Sequence, residues 1–91
     1  MTVYVDNARR PGPWYATTAY WSHLTADTKD ELHIFAERLG LRRDWFCDEP
    51  SGAWHYEVTA SKRWDAINAG AREITTPELH AIYARRSRAR G

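Results

Sequence analysis

The chain reads as a small α/β domain, in three layers or two, with a short, mostly parallel sheet of about three strands and three helices. Three observations predict this. Two Thr-x-x-Glu boxes, Thr28 with Glu31 and Thr75 with Glu78, mark helix starts, because each side chain satisfies a backbone N–H that the helix leaves unpaired. Apolar residues follow at helical spacing. Short β-branched or aromatic runs alternate with these helices, the order expected of βαβ units.

The first strand is "TVYVD" at 2–6, stopped by the Pro/Gly loop "NARRPGPW". Residues 8–26 show no clean period and read as loop, with 14–21 as a segment the sheet can recruit at an edge. The first helix follows Thr28, turns Leu32, Phe35, Ala36 and Leu39 to one side, and ends at Gly40 as a left-handed cap closed by Leu41. Residues 42–53 read as a loop whose Trp45 and Phe46 plug the core. "WHYEVT" at 54–59 alternates as a strand does, with Tyr56 and Val58 on one face and His55, Glu57 and Thr59 on the other. A second helix starts near Thr59 or Ser61, carries Trp64 and Ile67 inward and stops at Gly70. "AREIT" is the third strand. The third helix has Pro77 in its first turn, where the missing N–H costs nothing, and buries Leu79, Ile82 and Tyr83. One domain over 1–84 results, followed by a basic, disordered tail at 85–91.

Ninety-one residues hold one core, and a lone cysteine, Cys47, rules out an intrachain disulfide and any paired-cysteine zinc site. No apolar run reaches membrane length, and Asp6 stands where a signal peptide would be apolar, so the expectation is a cytoplasmic protein with no membrane partner. The net charge of +1 conceals a division. Residues 27–57 carry eight carboxylates against four bases, and residues 58–91 carry seven bases against three carboxylates.

For nucleophilic catalysis the pattern is poor. Ser22 and His23 are sequence neighbours that point to different sides, and Cys47 is flanked by Asp48 and Glu49, which blunt a thiol. For a divalent metal, His23, His33, His55, Asp6, Asp27 and Glu57 are all ligand types, and Asp6, His23 and Asp27 are the candidates retained. No His-x-x-x-His spacing supports them. In a parallel sheet Asp6 and His55 lie at opposite rims, so one site would not use both. His33 and His80 read as boundary histidines bonded to backbone. The arginines Arg85, Arg86, Arg88 and Arg90 are the candidates for nucleic-acid contact, since basic tails attract a phosphate backbone.

Taken together, "VYVD", "WSHLTADT", "ELHIFAERLGL" and "HYEVTASKRWDAINAGAREITTPEL" resemble the family called domain of unknown function 4031, small bacterial and bacteriophage proteins frequent in actinobacteria. The resemblance covers about residues 2–79 and implies a single domain without specifying a reaction. Its polar signature falls on Asp6, Ser22, His23, Asp27, His33, His55 and Tyr56. Where the pattern has acids on both sides of the His-Tyr pair, this chain has Trp54 and Glu57. The leading expectation is an accessory protein that binds a protein or nucleic-acid partner. The alternative is a small metal-dependent hydrolase or nuclease using a His/Asp site. Convergence separates them: an enzyme needs at least three such groups within a few ångströms.

Overall fold

The computed structural model describes residues 2–7, 10–11 and 20–90. Most of the Pro/Gly loop after Asn7, and much of the segment expected to join the sheet as an edge, lie outside them. Six strands are present among the described residues: β1 (Val3–Asp6), β2 (Arg10–Pro11), β3 (Tyr20–Ala26), β4 (Phe46–Cys47), β5 (His55–Thr59) and β6 (Arg72–Ile74). The helices are α1 (Lys29–Arg38), α2 (Ala60–Asn68) and α3 (Thr76–Arg90). The sheet runs β4-β5-β3-β1-β6, with β2 also paired to β3.

The expectation of a mostly parallel, three-stranded sheet is corrected here. Only β1 and β6 pair in parallel among the described strands, and every other pairing is antiparallel. The cause is β3, in a stretch whose sequence predicts loop. It lies between β1 and β5 and runs against both, in register Val5 to Leu24 on one side and Leu24 to Tyr56 on the other. Its sequence hides it because both faces are covered. Ser22, Leu24 and Ala26 face one layer, while Trp21, His23 and Thr25 face the other, so polar and apolar residues do not alternate.

The three layers follow from that register. On one face Val5, Leu24, Ala26, Tyr56 and Val58 pack with Leu32 and Ala36 of α1 and Ala66 of α2. On the other, Ile74 and Tyr4 pack with Leu79, Ile82 and Tyr83 of α3. Leu24 is wholly buried at the centre of the sheet, and truncation there removes contacts with several elements at once.

The starts of α1 and α3 and the end of α1 are as the sequence predicts. Thr28 caps α1 by accepting the Glu31 N–H at 3.2 Å, and Thr75 does the same for Glu78 at 3.2 Å. Glu78 returns the bond by accepting the Thr75 N–H at 2.9 Å, which holds its carboxyl below the usual range. Gly40 has φ 79°, and Leu41 N–H bonds back to the Ala36 carbonyl at 2.9 Å, a Schellman closure.

Two packing expectations change. Trp64 is 63% exposed and Trp45 50% exposed, so neither fills the core; Ala66 and a half-buried Phe46 do so instead. A helix face needs only one inward stripe, and Ala66 occupies it against the sheet. α3 runs on through residues 85–90. Within it Arg86 stacks 3.6 Å over Trp54 and donates to the Gly52 carbonyl at 3.1 Å and to the Ala26 carbonyl. Desolvation there lowers the guanidinium pKa.

Candidate metal centre

Antiparallel pairing decides which side chains meet. Opposed residues share a face, so register places Asp6 beside His23, His23 beside Glu57, and Cys47 beside His55 on the α3 side of the sheet. Because β3 bridges β1 and β5, Asp6 and His55 come to the same face. The opposite-rim expectation is therefore corrected by the same strand that corrects the topology.

Asp6 is fully buried, which is costly for a carboxylate unless its oxygens are bonded. Oδ1 accepts the His23 backbone N–H at 2.7 Å, and Oδ2 accepts His23 Nδ1–H at 2.9 Å. From α2, Arg63 donates to the Asp6 carbonyl at 2.9 Å and fixes the end of β1. A carboxylate only accepts, so the His23 proton sits on Nδ1 and the lone pair of the neutral ring on Nε2. His55 is held likewise. Its Nδ1–H donates to the Ala53 carbonyl at 2.7 Å, so in the neutral form of this ring the lone pair is on Nε2.

The two imidazoles meet edge to face, with centroids 4.9 Å apart, and His55 Nε2 lies 4.0 Å from Glu57 Oε1. His23, His55 and Glu57 each offer a ligand atom, all within 4.8 Å of one another. Donors about 2.1 Å from a shared tetrahedral ion lie about 3.4 Å apart, so the three atoms have to draw together by up to about 1.4 Å to hold one. His23 and His55 are mostly buried, whereas the Glu57 side chain is 42% exposed and gives the cluster its open side. Two imidazoles and one carboxylate suit zinc, manganese or iron(II), and three protein ligands leave positions for water or substrate.

The other residues singled out from the sequence fall elsewhere. Ser22 is buried on the opposite face, directly across from Val58. Asp27 is exposed after β3 and ties down β1, accepting the Thr2 N–H at 3.0 Å and the Tyr4 hydroxyl at 2.8 Å, which raises the Tyr4 pKa. His33 and Tyr56 form their own pair on the α1 side, Nδ1 to hydroxyl 2.9 Å. Burial, then Arg43, lowers the His33 pKa, and burial raises that of Tyr56. His80 is exposed on α3. Cys47 borders the cluster with its thiol pushed up by burial and by Glu57. Arg85 and Arg88 join Arg72 along a groove of about 650 Å³ between α3 and β6, whereas Arg86 is spent on Trp54. The side chain of Arg90 lies outside what is described.

Glu57 is absent from the metal set that the sequence favours. Its signal is present in "HYE", whose i, i+2 spacing puts His55 and Glu57 on one face; what the sequence does not display is the strand that carries His23 to them.

Fold and side chains together define a small three-layer α/β protein with a two-histidine, one-carboxylate cluster on the sheet face below α3. The chain belongs to the family described as protein of unknown function DUF4031, whose model matches residues 3–86. No curated protein and no solved structure matches it. Among the described residues no helix is long and apolar enough to cross a membrane.

Proposed function

We propose that His23, His55 and Glu57 hold one divalent transition metal and that the protein uses it as a Lewis acid in hydrolysis. The observation that carries this is the convergence of three ligand atoms within 4.8 Å. Support comes from the shell behind it. Asp6 and the Ala53 carbonyl fix both rings in the tautomer that presents Nε2, the arrangement found behind metal-bound histidines. A buried aspartate with this geometry has a reason to be there beyond stability. Such an ion polarises a substrate carbonyl or phosphoryl oxygen and activates water.

The test is thermal unfolding of chelator-treated protein with zinc, manganese, magnesium or, anaerobically, iron(II). Filling a site at a hundred times its dissociation constant adds about 2.7 kcal/mol, a rise on the order of 10 °C for a domain of this size. His23→Ala and Glu57→Ala abolish the rise, and Asp27→Ala leaves it. A flat response across all four ions overturns the proposal. A response confined to iron replaces hydrolysis with oxygen chemistry, for which the same ligand set also serves.

A second reading, partner binding, is favoured by one observation. Arg72, Arg85 and Arg88 line the groove between α3 and β6, on a half of the chain rich in bases. Phosphate backbones are the natural partner of such a groove. Binding of single-stranded DNA, followed by fluorescence anisotropy, then weakens with salt at a log–log slope of about −2 to −3, and Arg85→Ala or Arg88→Ala reduces that slope by about 1. A salt-independent signal sinks this reading.

A further inference from the structure

Glu57 faces two ways. It belongs to the ligand cluster, and it also lines a cleft of about 370 Å³ walled by Trp21, Trp45, Leu41 and Val58, with Cys47 at its border. We infer that this cleft is the subsite for an uncharged aromatic ring of a small-molecule ligand whose oxygen donors reach the ion held by His23, His55 and Glu57. The inference rests on the metal reading above and adds the class of ligand.

The cleft exists because β4 is short. It pairs with β5 only through Phe46 to Tyr56 and Cys47 to His55, so beyond Tyr56 that edge of β5 has no strand beside it among the described residues. Glu57 points to the metal face and Val58 to the core face, and the cleft wraps the edge between them. Its volume lies in the range that holds small molecules.

The walls choose the ligand. Two indoles, a leucine and a valine favour a flat apolar group, and among the described residues no cationic side chain lines the cleft to receive a phosphate or carboxylate. Glu57 supplies the negative charge there, which a bound cation offsets. Trp45 is half exposed, and its exposure marks surface that a ring would cover. It is also held in place. The Arg42 guanidinium lies 5.8 Å from the indole centroid, and Asp44 fixes Arg42 through Nε at 3.1 Å and Nη2 at 2.8 Å.

Benzohydroxamate and acetohydroxamate test this, since they share a metal-binding group and differ in the ring. Calorimetric titration of each into zinc-loaded full-length protein should show the aryl probe binding about tenfold tighter, a difference of about 1.4 kcal/mol. Neither should bind zinc-free protein. Trp45→Ala removes the preference without changing zinc affinity, while Trp64→Ala, at an exposed tryptophan outside the cleft, changes neither. If zinc binds and the two probes are equal, or the preference survives Trp45→Ala, the subsite is overturned and the metal site stands. If zinc does not bind, the titration is made with whichever of manganese or iron(II) raises the unfolding temperature, and if no ion does, both readings fall.

Discussion

Asp6 shows best how one residue serves fold and site together. Its carboxylate is buried, and both oxygens are bonded by His23, once through the backbone and once through the ring. Asp6→Asn keeps the shape but replaces an acceptor with an amide that can donate, so the ring loses its fixed tautomer and some basicity. Zinc affinity, measured by competition with a chromophoric chelator, is predicted to fall about 10- to 100-fold while the chain stays folded. His33 gives a prediction of a different kind. Its pKa is lowered, chiefly by burial, so the folded chain takes up the proton less readily than the unfolded one. Stability therefore rises with pH through the window between the depressed folded value and the usual 6.5, and is lost as pH falls through it. In urea unfolding across that range, His33→Gln should show a shallower acid loss than the parent; equal slopes would mean the proton is not excluded.

At the scale of elements, the helices are legible in the sequence and the central strand is not. Thr28, Gly40 and Thr75 are local signals whose partners lie within five residues, so the caps they predict do not depend on the rest of the fold. β3 depends on everything else. Each of its faces is mixed, Trp21 standing with His23 and Thr25 on one side and Ser22 with Leu24 and Ala26 on the other, and this breaks the alternation by which strands are found. The end of α3 is hidden for a similar reason: its composition is basic, and only tertiary contact with Trp54 and two carbonyls shows why Arg86 is held. Arg86→Ala is predicted to cost about 2–3 kcal/mol in urea unfolding, through the lost stacking and unsatisfied carbonyls, whereas Arg85→Ala stays within about 0.5 kcal/mol. Gly52 belongs to the same junction. Its φ is 94°, and a Cβ there would sit 2.8 Å from Arg86 Cβ, so Gly52→Ala should destabilise by at least about 1–3 kcal/mol.

Across the whole molecule, the sheet separates two kinds of chemistry. The face under α1 and α2 carries the larger apolar core, with Ser22 buried in it, and the face under α3 holds buried Asp6, Thr25 and His55 beside a smaller apolar cluster. Among the described residues α3 covers only part of that face, and the Glu57 side chain is 42% exposed beside the tryptophan-lined cleft. The residues of the site are visible in the sequence one at a time, Asp6, His23 and His55 among them. Their meeting is not, because a parallel sheet would keep Asp6 and His55 apart and only β3 reverses that. The same layering puts the arginine groove of Arg72, Arg85 and Arg88 on the β6 flank, so metal chemistry and phosphate contact would occupy different surfaces.

Anomalous scattering sees one ion between three side chains directly. Crystals of zinc-loaded protein, measured on both sides of the zinc edge, should show one strong peak about 2.0–2.2 Å from His23 Nε2, His55 Nε2 and a Glu57 carboxylate oxygen. His23 Nδ1 should still be bonded to Asp6. No peak there, or a peak held by surface groups away from these three, would contradict the metal reading.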